Sequence, residues 1–273
     1  LSNQVHTQSL YDPQGRLIGQ VNRRENSNEF APKLPTVSRR RYCYNPRNQL
    51  VRIDDQGHGT SLYQYDLLDR LRTVEGPTPE AFLFDPASNL LEALDGQEAT
   101  DAQASHALPE PSSPNARRPQ QTPGNRLKRQ GMRRFTYDER GNRTEEIVER
   151  GPRQGQVTRY RYNAQNQLVE VNVAGAVTRY AYDALGRRIS KTSESGSTRF
   201  YWNGDVLLGE VNEGANNTKP SRTYLFEPFS FKPLALVQNN EVFHYHTDHI
   251  GTPREITNAR AQVVWSASFK TYG

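Results

Sequence analysis

One cysteine, one methionine and two tryptophans are all that stand among 273 residues. The single Cys43 cannot close an internal disulfide, and no Cys-based metal framework exists. Between Tyr42 and Tyr44 it reads as a small strand residue. Long apolar runs are missing as well. No segment approaches the ~18 residues that a membrane helix needs. The opening stretch "LSNQVHTQSLYDPQ" has no basic-then-apolar signal pattern. Aliphatic side chains are scarce: the apolar fraction is 34% with tyrosine counted, against ~45–50% in ordinary globular chains when glycine is included. Charge of one sign is lacking too, since 35 Lys and Arg face 30 Asp and Glu for a net +5. The arginines are scattered, so no nucleic-acid partner is expected.

Aromatics are what the chain does have, with 14 Tyr and 10 Phe. Without matching aliphatics they point to thin sheets with partly wet faces rather than a thick two-layer core. They also recur in phrases such as "RYAYDALGRRI", "RYRYNAQNQLV" and "RFTYDERGNR". Aligning the acid or amide after each aromatic gives Asp12, Asn45, Asp66, Asp85, Asp138, Asn163, Asp183 and, more divergently, Asp248 after Tyr245. The closest of these lie about 20 residues apart, the spacing of a repeat architecture.

Each unit reads as a β-hairpin. Aromatics two apart share a strand face: Tyr42/Tyr44, Tyr63/Tyr65, Phe82/Phe84, Phe135/Tyr137, Tyr160/Tyr162, Tyr180/Tyr182 and Phe200/Trp202. The acid or amide that follows opens a turn by accepting from backbone amides. Three residues later stand Gly15, Asn48, Asp69, Ser88, Gly141, Asn166, Gly186 and Gly251. All but Ser88 are of types that tolerate left-handed backbone, as a bulged hairpin loop requires. An apolar residue then starts the return strand: Leu17, Leu50, Leu71, Leu90, Leu168 or Ile189. In "YWNGDVLL", Asn203-Gly204 is an independent turn signal. Shared chemistry at matched positions disfavours unrelated hairpins in a sandwich. The Tyr, Val and Thr content and the missing 3.6 period disfavour helical repeats.

Residues 93 to 131 break the rhythm, being rich in Pro, Ser, Gln and Ala without an aromatic. Residues 93 to 123 read as a flexible insertion, with order resuming near Asn125 to Met132. The expected layout is therefore repeats over 1–92, the insertion and its exit over 93–131, repeats over 132–243 and a distinct segment over 244–273. A start close to a repeat and an abrupt "TYG" end suggest a fragment.

These motifs resemble the YD repeats of the RHS family across nearly the whole chain outside the insertion. "YHTDHIGTPREITNARAQVVWSASFKTYG" (245 to 273) is similar to the RHS repeat-associated core segment. The resemblance implies an all-β fold, a strip of hairpins that spirals into a hollow shell around a C-terminal polymorphic toxin. It further implies a protein made in the bacterial cytoplasm and exported by a specialised system, often type VI secretion, to act on competing cells. The implied partners are the rest of the shell and the toxin, with a secretion spike, chaperone and immunity protein. The family's self-cleavage motif is not present. Asp12-Pro13-Gln14-Gly15-Arg16 resembles it superficially but ends in Arg within an ordinary repeat turn.

No catalytic, cofactor or metal site is expected. His244, His246, Asp248 and His249 form the densest polar cluster, and two histidines on one strand face would suit a metal. Asp248 and Gly251 nevertheless occupy repeat-turn positions, which favours scaffold. There is no nucleophile elbow, phosphate loop or acid pair. The readings left beside a shell segment are a surface adhesion or carbohydrate-binding module, with tyrosines stacking on sugars, and an enzyme using the His-Asp cluster.

Overall fold

A computed structural model of the chain describes residues 5–24, 36–84, 88–95, 120–122, 126–130, 132–214 and 221–272. These residues contain strands and no helix, so none is long and apolar enough to cross a membrane. The chain divides into two units, Leu1–Glu110, Glu227–Leu236 and Glu241–Gly273 in the first, Pro111–Phe226 and Val237–Asn240 in the second.

In the first unit eight strands follow one another: β1 (Val5–Tyr11), β2 (Leu17–Arg24), β3 (Thr36–Tyr44), β4 (Leu50–Asp55), β5 (Gly59–Tyr65), β6 (Leu71–Glu75), β7 (Glu80–Phe84) and β8 (Leu90–Asp95). Each is antiparallel to its neighbour in sequence. The second unit repeats the pattern with β9 (Gln120–Thr122), β10 (Arg126–Gln130), β11 (Arg133–Tyr137), β12 (Arg143–Val148), β13 (Val157–Tyr162) and β14 (Leu168–Val173). It continues through β15 (Ala176–Tyr182), β16 (Arg188–Ser193), β17 (Gly196–Asn203), β18 (Val206–Glu213) and β19 (Arg222–Phe226). The boundary between units falls inside β20 (Pro233–Gln238). The first unit then resumes with β21 (Glu241–Thr247), β22 (Pro253–Thr257) and β23 (Val263–Ser266), again antiparallel in order.

Side chains alternate as a pleated strand demands. On β3, Ser38, Arg40 and Tyr42 are buried while Arg39, Arg41 and Cys43 are exposed. On β13, Tyr160 and Tyr162 are half-buried and Arg159 and Arg161 face water. A bulge falls just before the second aromatic of each motif, as between Arg161 and Tyr162 or Ala181 and Tyr182. The bulge gives the turn its extra residue and increases local twist.

The core is thin. In the first unit Leu71, Val74 and Phe82 form a buried cluster, against which Tyr63, Tyr65, Phe84 and Leu90 pack. There the C-terminal residues supply a second layer: Tyr272 meets Phe82 edge-on with centroids 4.9 Å apart, and His249 lies 4.8 Å from Tyr42. In the second unit Phe135 is the one buried hydrophobic among the described residues. The tyrosines of that unit, such as Tyr160, Tyr162, Tyr180 and Tyr182, are only half-buried, which is how a sheet stands with so few aliphatics.

Most of 93–131 lies outside the described residues, as does Asp85; within it 93–95 end β8, and β9 and β10 precede β11. Two local expectations shift. The residue paired with Tyr182 is Arg188, not Ile189, and Ile189 is 39% exposed. The β17–β18 loop is Gly204-Asp205, because Asn203 already pairs with Val206.

Candidate functional site

The repeated acid or amide holds its turn with one oxygen. Asp12 Oδ1 accepts from the amides of Gln14 and Arg16 at 3.0 and 2.9 Å, and Asp183 Oδ1 from those of Leu185 and Arg187, both at 2.9 Å. Asn45, Asp66, Asn163 and Asp248 do the same for the amides two and four residues on. Asp138 Oδ1 accepts from Asn142. The backbone closes alongside, with Gly186 donating to the Asp183 carbonyl at 3.1 Å. The fourth residue of each turn is left-handed: Gly15, Gly141, Gly186 and Gly251 have φ between 77 and 90°, and Asn48, Asp69, Ser88 and Asn166 lie between 60 and 64°. Burial would raise Asp12, Asp66 and Asp183, but the amides and the arginine four residues on outweigh it and hold them below the usual carboxylate value.

The second side-chain atom follows a rule. In three of the turns that open with Asp, Oδ2 takes an arginine four residues later: Arg16, Arg70 and Arg187 at 2.6, 2.7 and 2.7 Å. Where it opens with Asn, Nδ2 donates to a glutamine, Gln49 or Gln167, at 2.6 Å. Asp138 takes Asn142 at 2.9 Å. That fourth residue then reaches the left-handed residue of the neighbouring turn. Arg16 donates to Asn48, Gln49 to Asp69, Arg70 to Ser88 and Asn142 to Asn166, at 2.7 to 3.3 Å. Asn, Asp or Ser there offers an acceptor that Gly does not.

In five units the second aromatic locks its hairpin to the strand before it. Hydroxyls of Tyr44, Tyr65, Tyr137 and Tyr182 donate to the carbonyls of Leu17, Leu50, Leu127 and Leu168, at 2.7 to 3.1 Å. Trp202 Nε1 donates to the Arg188 carbonyl at 2.9 Å. The first aromatics stack with arginine. Arg143 lies over Phe135 and Tyr160, and Arg188 over Tyr180 and Phe200, at 5.1 to 5.6 Å. These arginines stand where other repeats have leucine, their stems covering ring area while the charge stays wet.

The first unit also contains a buried ion cluster. Arg40 on β3 donates through Nε to Asp55 on β4 at 2.8 Å, and its NH2 pairs with Glu255 on β22. All three side chains are at most 6% exposed. Asp55 Oδ1 also accepts from the Gly57 and His58 amides at 2.8 and 3.2 Å. Burial disfavours the Arg40 charge, but Glu255 and Asp55 more than compensate and raise its pKa. Burial would raise Asp55 as well, yet Arg40 and the Gly57 amide hold it below the usual value. Asp55, His58 and Glu255 bring ligand atoms within 4.8 Å of one another. The guanidinium already pairs with both carboxylates, so a dication there would face a fixed positive charge. The cluster ties β22 to β3 and β4. Nearby, Glu80 Oε2 accepts from the Thr271 amide and hydroxyl at 2.9 and 2.6 Å, holding the strand-free residues after β23.

Comparison with known proteins adds to this geometry. The family model described as RHS Repeat matches residues 162–198, and that described as RHS protein matches 242–273. Over those two stretches the chain matches RHS sequence. The chain is 29% identical to double-stranded DNA deaminase toxin A of Burkholderia cenocepacia over 97% of its length. It is 28% identical to toxin protein Tse5 of Pseudomonas aeruginosa over 83%. It spans about a fifth of both curated relatives, 19% and 21%. The crystal structure of TcdB2-TccC3 aligns with 99% of this chain and 15% of its own, at TM-score 0.56 and 14% identity. The Photorhabdus luminescens Tc holotoxin pore aligns over 99% and 14%, also at 0.56 and 14%. At that identity the likeness concerns the fold, which is all-β.

Within the RHS segment 242–273 the histidines go separate ways. His246 is buried and its Nε2 lies 2.8 Å from Thr257 Oγ1. Burial first, then the charges of His244 and Arg40, push its pKa down to about 4. His249 packs on Tyr42, and burial lowers its pKa despite Asp248. Among the described residues none of the three joins a group of metal-holding side chains. Tyr245 is half-buried and pairs with Ile256.

Sequence reasoning missed three things. The ion cluster joins residues 215 apart in sequence. A further RHS turn opens at Asn258, whose Oδ1 accepts from Arg260 and Gln262, with Ala261 left-handed at φ 58°. Another opens at Glu227. Asn258 follows Thr where other units have an aromatic, but the Gln four residues later was a usable signal.

Proposed function

We propose that residues 1–273 are a non-catalytic wall segment of an RHS-repeat toxin, enclosing a toxin domain carried beyond the repeats and delivered to competing cells. The carrying observation is the repeat joint, in which turn carboxylates and tyrosine hydroxyls are already engaged in holding hairpin to hairpin. Such a device extends a sheet one hairpin at a time and needs no second layer. The family matches and the two toxin relatives support the reading. A related structure is described as lacking a hypervariable C-terminal region, which agrees with a constant wall and variable contents.

The layout follows as repeats over 1–92 and 132–243, an insertion with its exit over 93–131, and the core segment over 244–273. The partners are the remaining wall and the toxin, with a secretion spike, a chaperone and an immunity protein, and the protein is secreted or associated with the cell surface. Carbohydrate binding is the weaker reading. Arginine covers a face of Phe135, Tyr160, Tyr180 and Phe200, so those faces are closed to stacked sugars.

Limited proteolysis of the parent protein tests the proposal. The region beyond Gly273 is expected to survive added protease while the wall is intact and to be cut once the wall is opened. Equal cleavage in both states refutes enclosure, and specific, saturable binding on a glycan array favours adhesion.

A further inference from the structure

In the second unit the connection between β12 and β13 is longer than the two-residue turns around it. β14 turns into β15 through Ala174 and Gly175, and β16 into β17 through Glu194 and Ser195. Between β12 and β13, however, the chain runs from residue 149 to residue 156. This longer loop is held by its own backbone. The Glu149 amide donates to the Met132 carbonyl at 2.7 Å, Gly155 to Val148 at 2.8 Å and Gln154 to Gly151 at 2.9 Å.

Beside the loop lies an open groove of about 610 Å³, within the ~300–1,000 Å³ range of ligand sites. Arg133, Arg143, Arg150 and Arg153 line it, and among the described residues no acidic side chain does. Arg133 and Arg143 share a single carboxylate, Glu146, at 3.0 and 3.5 Å. Arg150 and Arg153 are exposed, and their side chains have no ion pair or hydrogen bond among the described residues. The rest of the lining is apolar: Met132, Phe135, Val148 and Pro152.

We propose that this groove docks an acidic peptide segment that carries an aliphatic or aromatic side chain between its carboxylates. Free guanidinium forks match carboxylates two bonds at a time. The apolar floor gives an intervening side chain somewhere to leave water, and arginines beside an apolar pocket are typical of the positions that dominate peptide binding. A nucleic-acid strand fits less well. Its phosphates would use the arginines, but its bases would need an open ring, and Phe135 is buried beneath Arg143. The two arginines with free side chains, Arg150 and Arg153, lie on the loop rather than in the repeat joint, so the proposal does not depend on enclosure.

The test uses the full chain and a fluorescein-labelled peptide, Glu-Asp-Leu-Phe-Glu-Asp, read by anisotropy at about 50 mM salt, where screening is modest. Binding is expected to weaken at least about tenfold in Arg150→Ala/Arg153→Ala, with an unchanged melting temperature because both side chains are exposed. It is expected to weaken similarly when Leu and Phe of the peptide become Ser. The Arg150→Lys/Arg153→Lys variant keeps the charge without the fork and should fall between. Three results overturn the proposal: undiminished binding by the alanine variant, equal binding of the Ser peptide, or equal competition by single-stranded DNA of the same charge.

Discussion

Replacing Arg40 by Met removes the cation between Asp55 and Glu255 and leaves two carboxylates where side chains are at most 6% exposed. Breaking a buried pair from one side costs about 3–5 kcal/mol, roughly two to four decades in a folding equilibrium at ~1.4 kcal/mol each. Adding Glu255→Gln should recover part of the loss, because the carboxylate that remains still accepts from the Gly57 and His58 amides. The two tryptophans make the assay specific to the first unit. In a Trp202→Phe background, Trp265 on β23 reports urea unfolding of the layer that Glu255 anchors. The pH dependence carries a sign. In the native chain the Asp55 pKa is lowered, so its contribution is full above about 3.9, the ordinary aspartate value, and is lost as pH falls through its folded value. In Arg40→Met the carboxylates lose that cation, with Arg254 still 4.0 Å from Asp55, and take up protons more readily than in the native chain. That variant should therefore regain relative stability as pH falls toward about 4. If Arg40→Met stays within about 1 kcal/mol of the parent at pH 7, the cluster adds no more than an exposed pair would, and the reasoning fails.

Gly186→Val, at φ 82°, should cost about 1–2 kcal/mol in thermal melts. Gly186→Asn should be close to neutral, since Gln167 Nε2 lies 3.4 Å from where a Cβ would sit and gains the acceptor that Asp69 gives Gln49; equal loss in both variants would sink the turn account. Tyr182→Phe should lose about 1 kcal/mol in urea unfolding, the worth of its hydrogen bond to the Leu168 carbonyl, and an unchanged midpoint would count against the lock between hairpins. With a folded pKa pushed down to about 4, His246 favours the folded state fully above about 6.5, its ordinary value. It loses up to about 3 kcal/mol as pH falls toward the folded value. His246→Leu should flatten that slope in unfolding titrations between those limits, and a slope that persists would place the titration elsewhere.

The joint was legible in the sequence because its chemistry is local. An Asx side chain reaching the amides two and four residues on needs nothing beyond "DALGR" or "NAQNQ", and the left-handed fourth residue follows from which side chains tolerate positive φ. Even the Asp-with-Arg and Asn-with-Gln rule can be read from five-residue words. Repetition then implied hairpins in sequential order, and scarce aliphatics implied a thin sheet. Tertiary structure decided the rest. Arg143 and Arg188 take over leucine positions only because neighbouring strands set rings on either side of their stems, and nothing within one repeat encodes that neighbour's ring. The pairing of Arg40 with Glu255 spans 215 residues and depends on which face of β22 meets β3. Strand pattern constrains each face separately. Which charges meet is settled when the layers pack, because a buried guanidinium is tolerated only where both carboxylates arrive together.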